Sequence, residues 1–450
     1  MEKDNIMGTL PINKLLITIS GPIIISMMIQ ALYNVVDSFF VAKISEDALA
    51  AVSLAFPMQN IMIGVSTGTA IGIGANLSKA LGEKNQKRVN DFALNGIFLC
   101  VLSVLFFMIL GVTTAKSFMS MQTDVDNIIE SGTVYLRICT FFSAGIFGEI
   151  IFQRLLQATG KTFYSMLGQL TGALTNIILD PILIFGLFGM PKLGITGAAI
   201  ATVIGQIGGA AVTVIFNLKV NREIQFNIRE FKPSVSIIKE IYSIGVPAMI
   251  NNSLMPIMAF GMNRILIGFS TSATAIMGVF IKLQSFIFMP VIGMNNGLIS
   301  IVAFNYGSRK KDRIIGSIKM ALKYSLLFTG AGTVAFQIFT GNILRLFLAE
   351  TKTLEMGVVA FRIISITFII SGFTFILCAV FQALGKSILS LIVQGLRQLA
   401  LLLPMAYILS LLNNLDMVWL AFPFADVIAL IICLLIYLRI SKKIIHKLEN

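Results

Sequence analysis

Leu156-Gln157-Ala158-Thr159-Gly160-Lys161 and Phe381-Gln382-Ala383-Leu384-Gly385-Lys386, 225 residues apart, agree at four of six positions. The same shift pairs Lys14 with Lys239, Pro22 with Pro247, Ala48 with Ala273, Gln59 with Gln284, Gly72 with Gly297 and Gly82 with Gly307. It also pairs Arg88 with Arg313, Arg137 with Arg362 and Gln169 with Gln394. Similarity between apolar segments alone would not preserve loop residues as well, so one offset held along the chain marks a duplicated unit.

The solvent of that unit follows from composition. Of 450 residues 56% are hydrophobic and 12% charged, where a soluble chain carries about 25% charged residues; the mean hydropathy is +0.90. A helix rises about 1.5 Å per residue and the hydrocarbon layer is about 30 Å thick, so about 20 mostly apolar residues cross it. Runs of that length predict twelve helices near 15–44, 48–80, 92–115, 131–157, 163–187, 195–217, 240–268, 273–305, 320–341, 356–382, 388–412 and 417–440. Cys100, Cys139, Cys378 and Cys433 each lie in an apolar run without metal or redox spacing, and read as small hydrophobes. Met1 to Lys14 holds Glu2 and Asp4 and lacks an apolar core before a cleavage site, so no signal peptide is expected to be removed.

Lysine and arginine set the orientation, because loops rich in them stay cytoplasmic. Assigning the loops alternately puts 22 basic residues on one side, from Lys3 to Lys447, and five on the other: Lys43, Lys116, Lys192, Arg345 and Lys352. One missed helix would scramble that alternation. Both termini are therefore expected in the cytoplasm of a multi-pass plasma-membrane protein. The net charge of +13 then marks topology and faces anionic membrane lipid, and no nucleic-acid partner is expected. Six helices per half is an even number, so the halves are parallel repeats. The fold expected is all-α and integral to the membrane: two six-helix lobes around a central cleft. The boundaries predicted are a first lobe over 1–218, a cytoplasmic linker over 219–239 and a second lobe over 240–450.

Four of the 21 carboxylates fall inside predicted helices: Asp37, Glu149, Asp180 and Asp426. A charge at mid-membrane costs at least about 2.5 kcal/mol, so such residues usually face a polar interior and mark an ion or substrate path. Ser26, Gln30, Asn34 and Asp37 make a polar stripe on the first helix, and Gln169, Gly172, Asn176 and Asp180 another on the fifth. Counted from Lys14 and Lys161, Asp37 and Asp180 lie about 35 and 29 Å along helices running the same way, and can meet at one depth. Pro181 leaves the Ile177 carbonyl without its helical donor, an arrangement that suits a hard cation. Glu149, Gln153 and Gln157 form a stripe on the fourth helix, with Arg154 able to neutralise Glu149 locally; with Gln206 they are second-tier or substrate candidates. The plainer reading of each acid is a polar tie between helices. Met27, Met28 and the phenylalanines read first as packing, although methionine suits promiscuous binding.

The second half has one intramembrane acid, Asp426, and the basic residues Arg264, Lys282 and Arg397. These can snorkel, pair with Asp426 or bind an anionic substrate. Ion coupling is expected in the first lobe. The lone histidine, His446, is in the tail, and no Gly-rich loop ending in Lys-Ser or Lys-Thr cradles phosphate. No enzyme, ATP-driven step or cofactor is expected, and gradient coupling remains. A channel fits the two-lobe repeat less well than alternating access.

The run Asp37-Ser38-Phe39-Phe40-Val41, then Ala48-Leu49-Ala50-Ala51-Val52-Ser53-Leu54-Ala55-Phe56-Pro57 and Ala80-Leu81-Gly82-Glu83-Lys84-Asn85, resembles the multidrug and toxic compound extrusion (MATE) transporters, in their MepA-like bacterial branch. Gln157-Ala158-Thr159-Gly160 and Asn176-Ile177-Ile178-Leu179-Asp180-Pro181 carry the resemblance further. Ala42-Lys43-Ile44-Ser45 departs from it, in a turn that usually holds glycines. The resemblance implies a monomeric antiporter, driven by protons or sodium, that exports amphipathic and mainly cationic small organic compounds. It also implies that Asp37, Asn176, Asp180 and Thr202 hold the coupling ion, with sodium possible there. The alternative transporter is a flippase for lipid-linked or anionic precursors. A membrane scaffold or receptor is the alternative outside transport.

Overall fold

Among the described residues every regular element is a helix. The computed structural model describes residues 5–448 apart from 228, 230, 348 and 349; Glu2, Lys3 and Asp4 lie outside the described residues. The first half runs α1 (Ile6–Thr9), α2 (Ile12–Ala42), α3 (Glu46–Gly82), α4 (Gln86–Ser120), α5 (Asp126–Phe141), α6 (Ala144–Ala158), α7 (Thr162–Phe185) and α8 (Ile195–Lys219). The second runs α9 (Val235–Leu266), α10 (Thr271–Gly307), α11 (Lys311–Ile338), α12 (Thr340–Leu344), α13 (Thr351–Ser365), α14 (Thr367–Ala383) and α15 (Ser387–Gly395). A π-helical stretch, Leu396–Leu401, joins α15 to α16 (Leu402–Ser410), and α17 (Leu415–Trp419) leads into α18 (Ala421–Ile440).

Among the described residues nine helical stretches are long and apolar enough to cross a membrane, and α5 with α6 and α13 with α14 count as two more when each bent pair, at 44° and 42°, is one span. α11 has 28 residues and is more polar, with Lys319 and Lys323 within it. With it the described spans number the twelve expected. The two bends fall at corresponding places in the halves. Ser45 caps α3 by accepting from the Ala48 N–H at 3.0 Å, and Ser270 caps α10 by accepting from Ala273 at 3.1 Å. Each serine satisfies a donor that a helix start leaves open. The Ser270 cap also explains how so short a connection can divide α9 from α10.

Two compact units emerge, and neither ends at the linker. One comprises Met1–Ile24 with Pro247–Asn450, the other Ile25–Val246. The boundaries run through α2 and α9, beside Pro22 and Pro247, so the first turns of each helix belong with the other repeat. The 219–239 stretch, expected as a connector, is fastened to α4. Gln86 donates to the Glu223 carbonyl at 2.9 Å, and Asn90 and Asn95 accept from the backbones of Gln225 and Ser234. Arg88 on α4 pairs with Glu240 on α9. In the other unit its repeat mate Arg313 donates to the carbonyls of Met7 at 3.0 Å and Leu10 at 2.7 Å, just before α2.

Close helix approach completes each exchange. A Cβ on Gly72 would stand 2.1 Å from the Ile241 carbonyl of α9, and one on Gly297 would stand 2.3 Å from Ser20 Oγ of α2. The Gly72 and Gly297 repeat pair is therefore a packing requirement, met at the same place in both units.

Candidate functional site

All four residues expected to hold the coupling ion lie in the Ile25–Val246 unit and converge. α7 carries Asn176 and Asp180 one turn apart and continues through Pro181 to an αL cap at Gly186, φ 75°. Its partner is α8, and their backbones approach closely where glycines face each other. A Cβ on Gly205 would stand 2.7 Å from the Gly172 carbonyl and 3.1 Å from Asn176 Cβ. That approach brings Thr202 of α8 beside Asn176, whose Nδ2 donates to Thr202 Oγ1 at 3.4 Å and to Asp180 Oδ1 at 3.3 Å. Asp180 is fully buried and Asn176 and Thr202 nearly so. From α2, the Asp37 carboxyl comes within hydrogen-bond reach of the Asp180 carboxyl.

Two adjacent carboxylates repel unless a proton or cation lies between them. Asp37 Oδ1, Asn176 Oδ1 and Asp180 Oδ2 are buried with no hydrogen-bond donor. Buried polar atoms are nearly always paired, and an orphan calls for an explanation. Three such oxygens on α2 and α7, with the Thr202 hydroxyl beside Asn176, have the chemistry of a hard-cation or proton site. Among the described residues no three His, Cys, Asp or Glu side chains group to hold a metal ion.

The second-tier residues separate. Glu149, Gln153 and Gln157 keep to one face of α6. Gln153 Nε2 donates to Glu149 Oε1 and to Gln169 Oε1, each at 3.1 Å, and Gln157 Nε2 donates to Ser165 Oγ at 3.0 Å. Arg154 faces elsewhere: its Cδ would stand 2.6 Å from a Cβ on Gly74 of α3, whereas Glu149 points toward α7 and α8. Five residues along a helix turn about 140°, which separates the two side chains. Gln30 and Asn34 on α2 are exposed and Gln206 on α8 is half-buried, packed beside Gly145.

Tyr33 escaped the sequence reading. Its phenol is within electrostatic reach of Asp37, Glu149 and Asp180. Its signal was the four-residue step to Asp37, which puts phenol and carboxyl on one helix face.

In the other unit Arg397 pairs with Asp426, and Arg397 Nη2 donates to Ser371 Oγ at 3.0 Å while Ser371 donates to Asp426 at 2.8 Å. Arg397 also lies 5.6 Å from the Phe375 ring centroid. It enters from the π-helical stretch, whose extra residue per turn re-aims the side chain. Of the three fates weighed for the basic residues, Arg397 takes pairing. Arg264 lies 5.8 Å from the Phe260 ring centroid.

The MatE family profile matches residues 22–182 and again 247–408, two matches that begin 225 residues apart. The chain belongs to the MatE family of membrane transporters. Within this family it is 26% identical to the probable multidrug resistance protein YoeA of Bacillus subtilis, over 94% of this chain and 92% of that one. It is 25% identical to the multidrug export protein MepA of Staphylococcus aureus, over 95% and 94%. A MATE multidrug resistance transporter solved in an outward-facing conformation superposes with TM-score 0.91 at 24% identity, over 98% of this chain and 99% of that one. The MatE fold accounts for the repeat and the twelve spans.

Proposed function

We propose that this MatE transporter is a secondary active exporter of amphipathic, mainly cationic, organic compounds. It exchanges them by alternating access for a proton or sodium ion held at Asp37, Asn176, Asp180 and Thr202. The observation that carries the reading is the set of three orphaned buried oxygens on converging helices, because a site built for a leaving cation must offer oxygens that no protein donor already occupies. Proton and sodium would compete for those oxygens. Binding one weakens the other, and alternating access turns that competition into exchange. The names of the YoeA and MepA relatives support multidrug export. The basic balance of the loops supports a plasma-membrane protein with both termini cytoplasmic.

An anionic or lipid-linked cargo would draw on Arg264, Lys282 and Arg397, and the Arg397–Asp426 pair weakens that alternative. The test is a panel of cationic, zwitterionic and lipid-linked solutes in proteoliposomes under separate sodium and pH gradients. Movement of organic cations is expected. Movement of a lipid-linked solute alone would reverse the assignment.

A further inference from the structure

Cys378 on α14 and Cys433 on α18, in the unit that contains Pro247–Asn450, are both buried and both free thiols. One hydrogen bond sets the register of their helices: Ser371 of α14 donates to Asp426 of α18 at 2.8 Å. Seven residues further along each helix stand Cys378 and Cys433. Seven residues make two turns, about 10.5 Å of rise, so the tenth and twelfth spans, running the same way, bring both thiols back to one seam. The two sulfurs are within hydrogen-bond reach of each other. Ala425 and Ala429, at the four-residue steps before Cys433, are buried on the same face of α18, and such small side chains let α14 come close.

A third helix contributes a polar group to this seam. Gln394 of α15 donates from Nε2 to Cys378 Sγ at 3.8 Å, and its Oε1 accepts from Arg397 Nη1 at 3.3 Å. The guanidinium polarises the amide, which turns its positive end to the sulfur, where negative charge develops as a thiol attacks an oxidant. The repeat offers a comparison. At the corresponding positions, 225 residues earlier, the chain has Gln153 and Gly208. There Gln153 donates at 3.1 Å to Gln169, the repeat mate of Gln394. The glutamine contact thus recurs in both units, whereas the two thiols across the seam belong to the second repeat alone.

We propose that Cys378 and Cys433 form an oxidisable dithiol, which hydrogen peroxide closes to a disulfide tying α14 to α18. Burial keeps bulky thiols and oxidants away from the pair, so the oxidant is a small neutral peroxide. The Cys378 sulfur attacks one peroxide oxygen, the O–O bond breaks, and the thiol proton leaves with the other oxygen as water. The Cys433 sulfur then attacks the Cys378 sulfenic acid: the S–S bond forms, the S–O bond breaks, and the Cys433 proton leaves in a second water. The two thiols lose two electrons and the peroxide gains them. A cross-link between positions 55 residues apart restricts the unfolded chain and so stabilises this unit.

The test exposes wild type, Cys433→Ala and Cys378→Ala in proteoliposomes to hydrogen peroxide, then denatures and alkylates them and counts free thiols by mass spectrometry. In wild type, Cys378 and Cys433 are expected to lose alkylation together, at least fivefold, and to regain it with dithiothreitol. Cys100 and Cys139, buried in the other unit, serve as controls and are expected to stay within twofold. Cys433→Ala should hold Cys378 as a sulfenic acid that dimedone labels, and Cys378→Ala should leave Cys433 alkylatable. Oxidised wild type is also expected to melt at a higher temperature in detergent than the reduced protein, with no such rise in Cys433→Ala. Four results would each overturn the proposal: both thiols staying alkylatable in wild type, loss no faster than at Cys100 and Cys139, a disulfide between two molecules on a non-reducing gel, or oxidation of Cys433 in Cys378→Ala. If neither alanine variant inserts, the thiol count on wild type decides the bond by itself.

Discussion

The Asp37 carboxyl, on α2, meets the Asp180 carboxyl, on α7, within hydrogen-bond reach, and each keeps one buried oxygen without a donor. Neutralising either would remove a carboxylate of the proposed ion site while keeping the side chain's shape. Asp37→Asn and Asp180→Asn are each expected to abolish gradient-driven efflux with normal insertion, measured at matched expression under separate sodium and pH gradients. Normal efflux in both variants would dismiss the site.

Thr202 contributes one neutral oxygen beside Asn176. Thr202→Val keeps the shape and removes that oxygen. The expected result is a several-fold weaker response to the coupling ion at limiting gradient, with the rate at saturating gradient largely retained. An unchanged ion dependence would remove Thr202 from the ligand set.

The Arg397–Asp426 pair is buried with Ser371 closing its network. Removing one partner of a buried pair costs about 3–5 kcal/mol, because the other charge is left uncompensated. Asp426→Asn is therefore expected to lower the melting temperature in detergent while efflux per folded molecule stays near wild type. The double variant Arg397→Met with Asp426→Leu should recover most of that stability. Loss of efflux with unchanged stability would instead move ion coupling to this pair.

Gly72 and Gly297 sit where a side chain would strike the backbone of α9 or the Ser20 side chain of α2. Overpacking of this kind costs about 1–3 kcal/mol. Gly72→Leu and Gly297→Leu are each expected to lower thermal stability in detergent more than Gly64→Leu, where a Cβ meets nothing within 4 Å. Equal stability across the three would contradict the close approach.

The 22 to 5 division of basic residues makes a topological expectation. A reporter fused after Lys443 should be cytoplasmic, and one inserted between Thr123 and Asn127 external. Both on one side would contradict the twelve-span order.

The sequence alone determined the duplication and the number of spans, and it put Asp37 and Asp180 at similar depth on helices running the same way. These depend on quantities local to the chain: apolar length against bilayer thickness, the period of a helix, and an offset held in loops. Only the tertiary structure decided which helix turns belong to which unit. Pro22 and Pro247 were visible as a pair, but the exchange of the first turns of α2 and α9 depends on backbones meeting at Gly72 and Gly297. The fates of Arg154, Arg397 and Tyr33 were likewise out of reach. A buried charge takes whichever partner the fold brings within about 4 Å, and that distance is set by contacts between residues far apart in the chain.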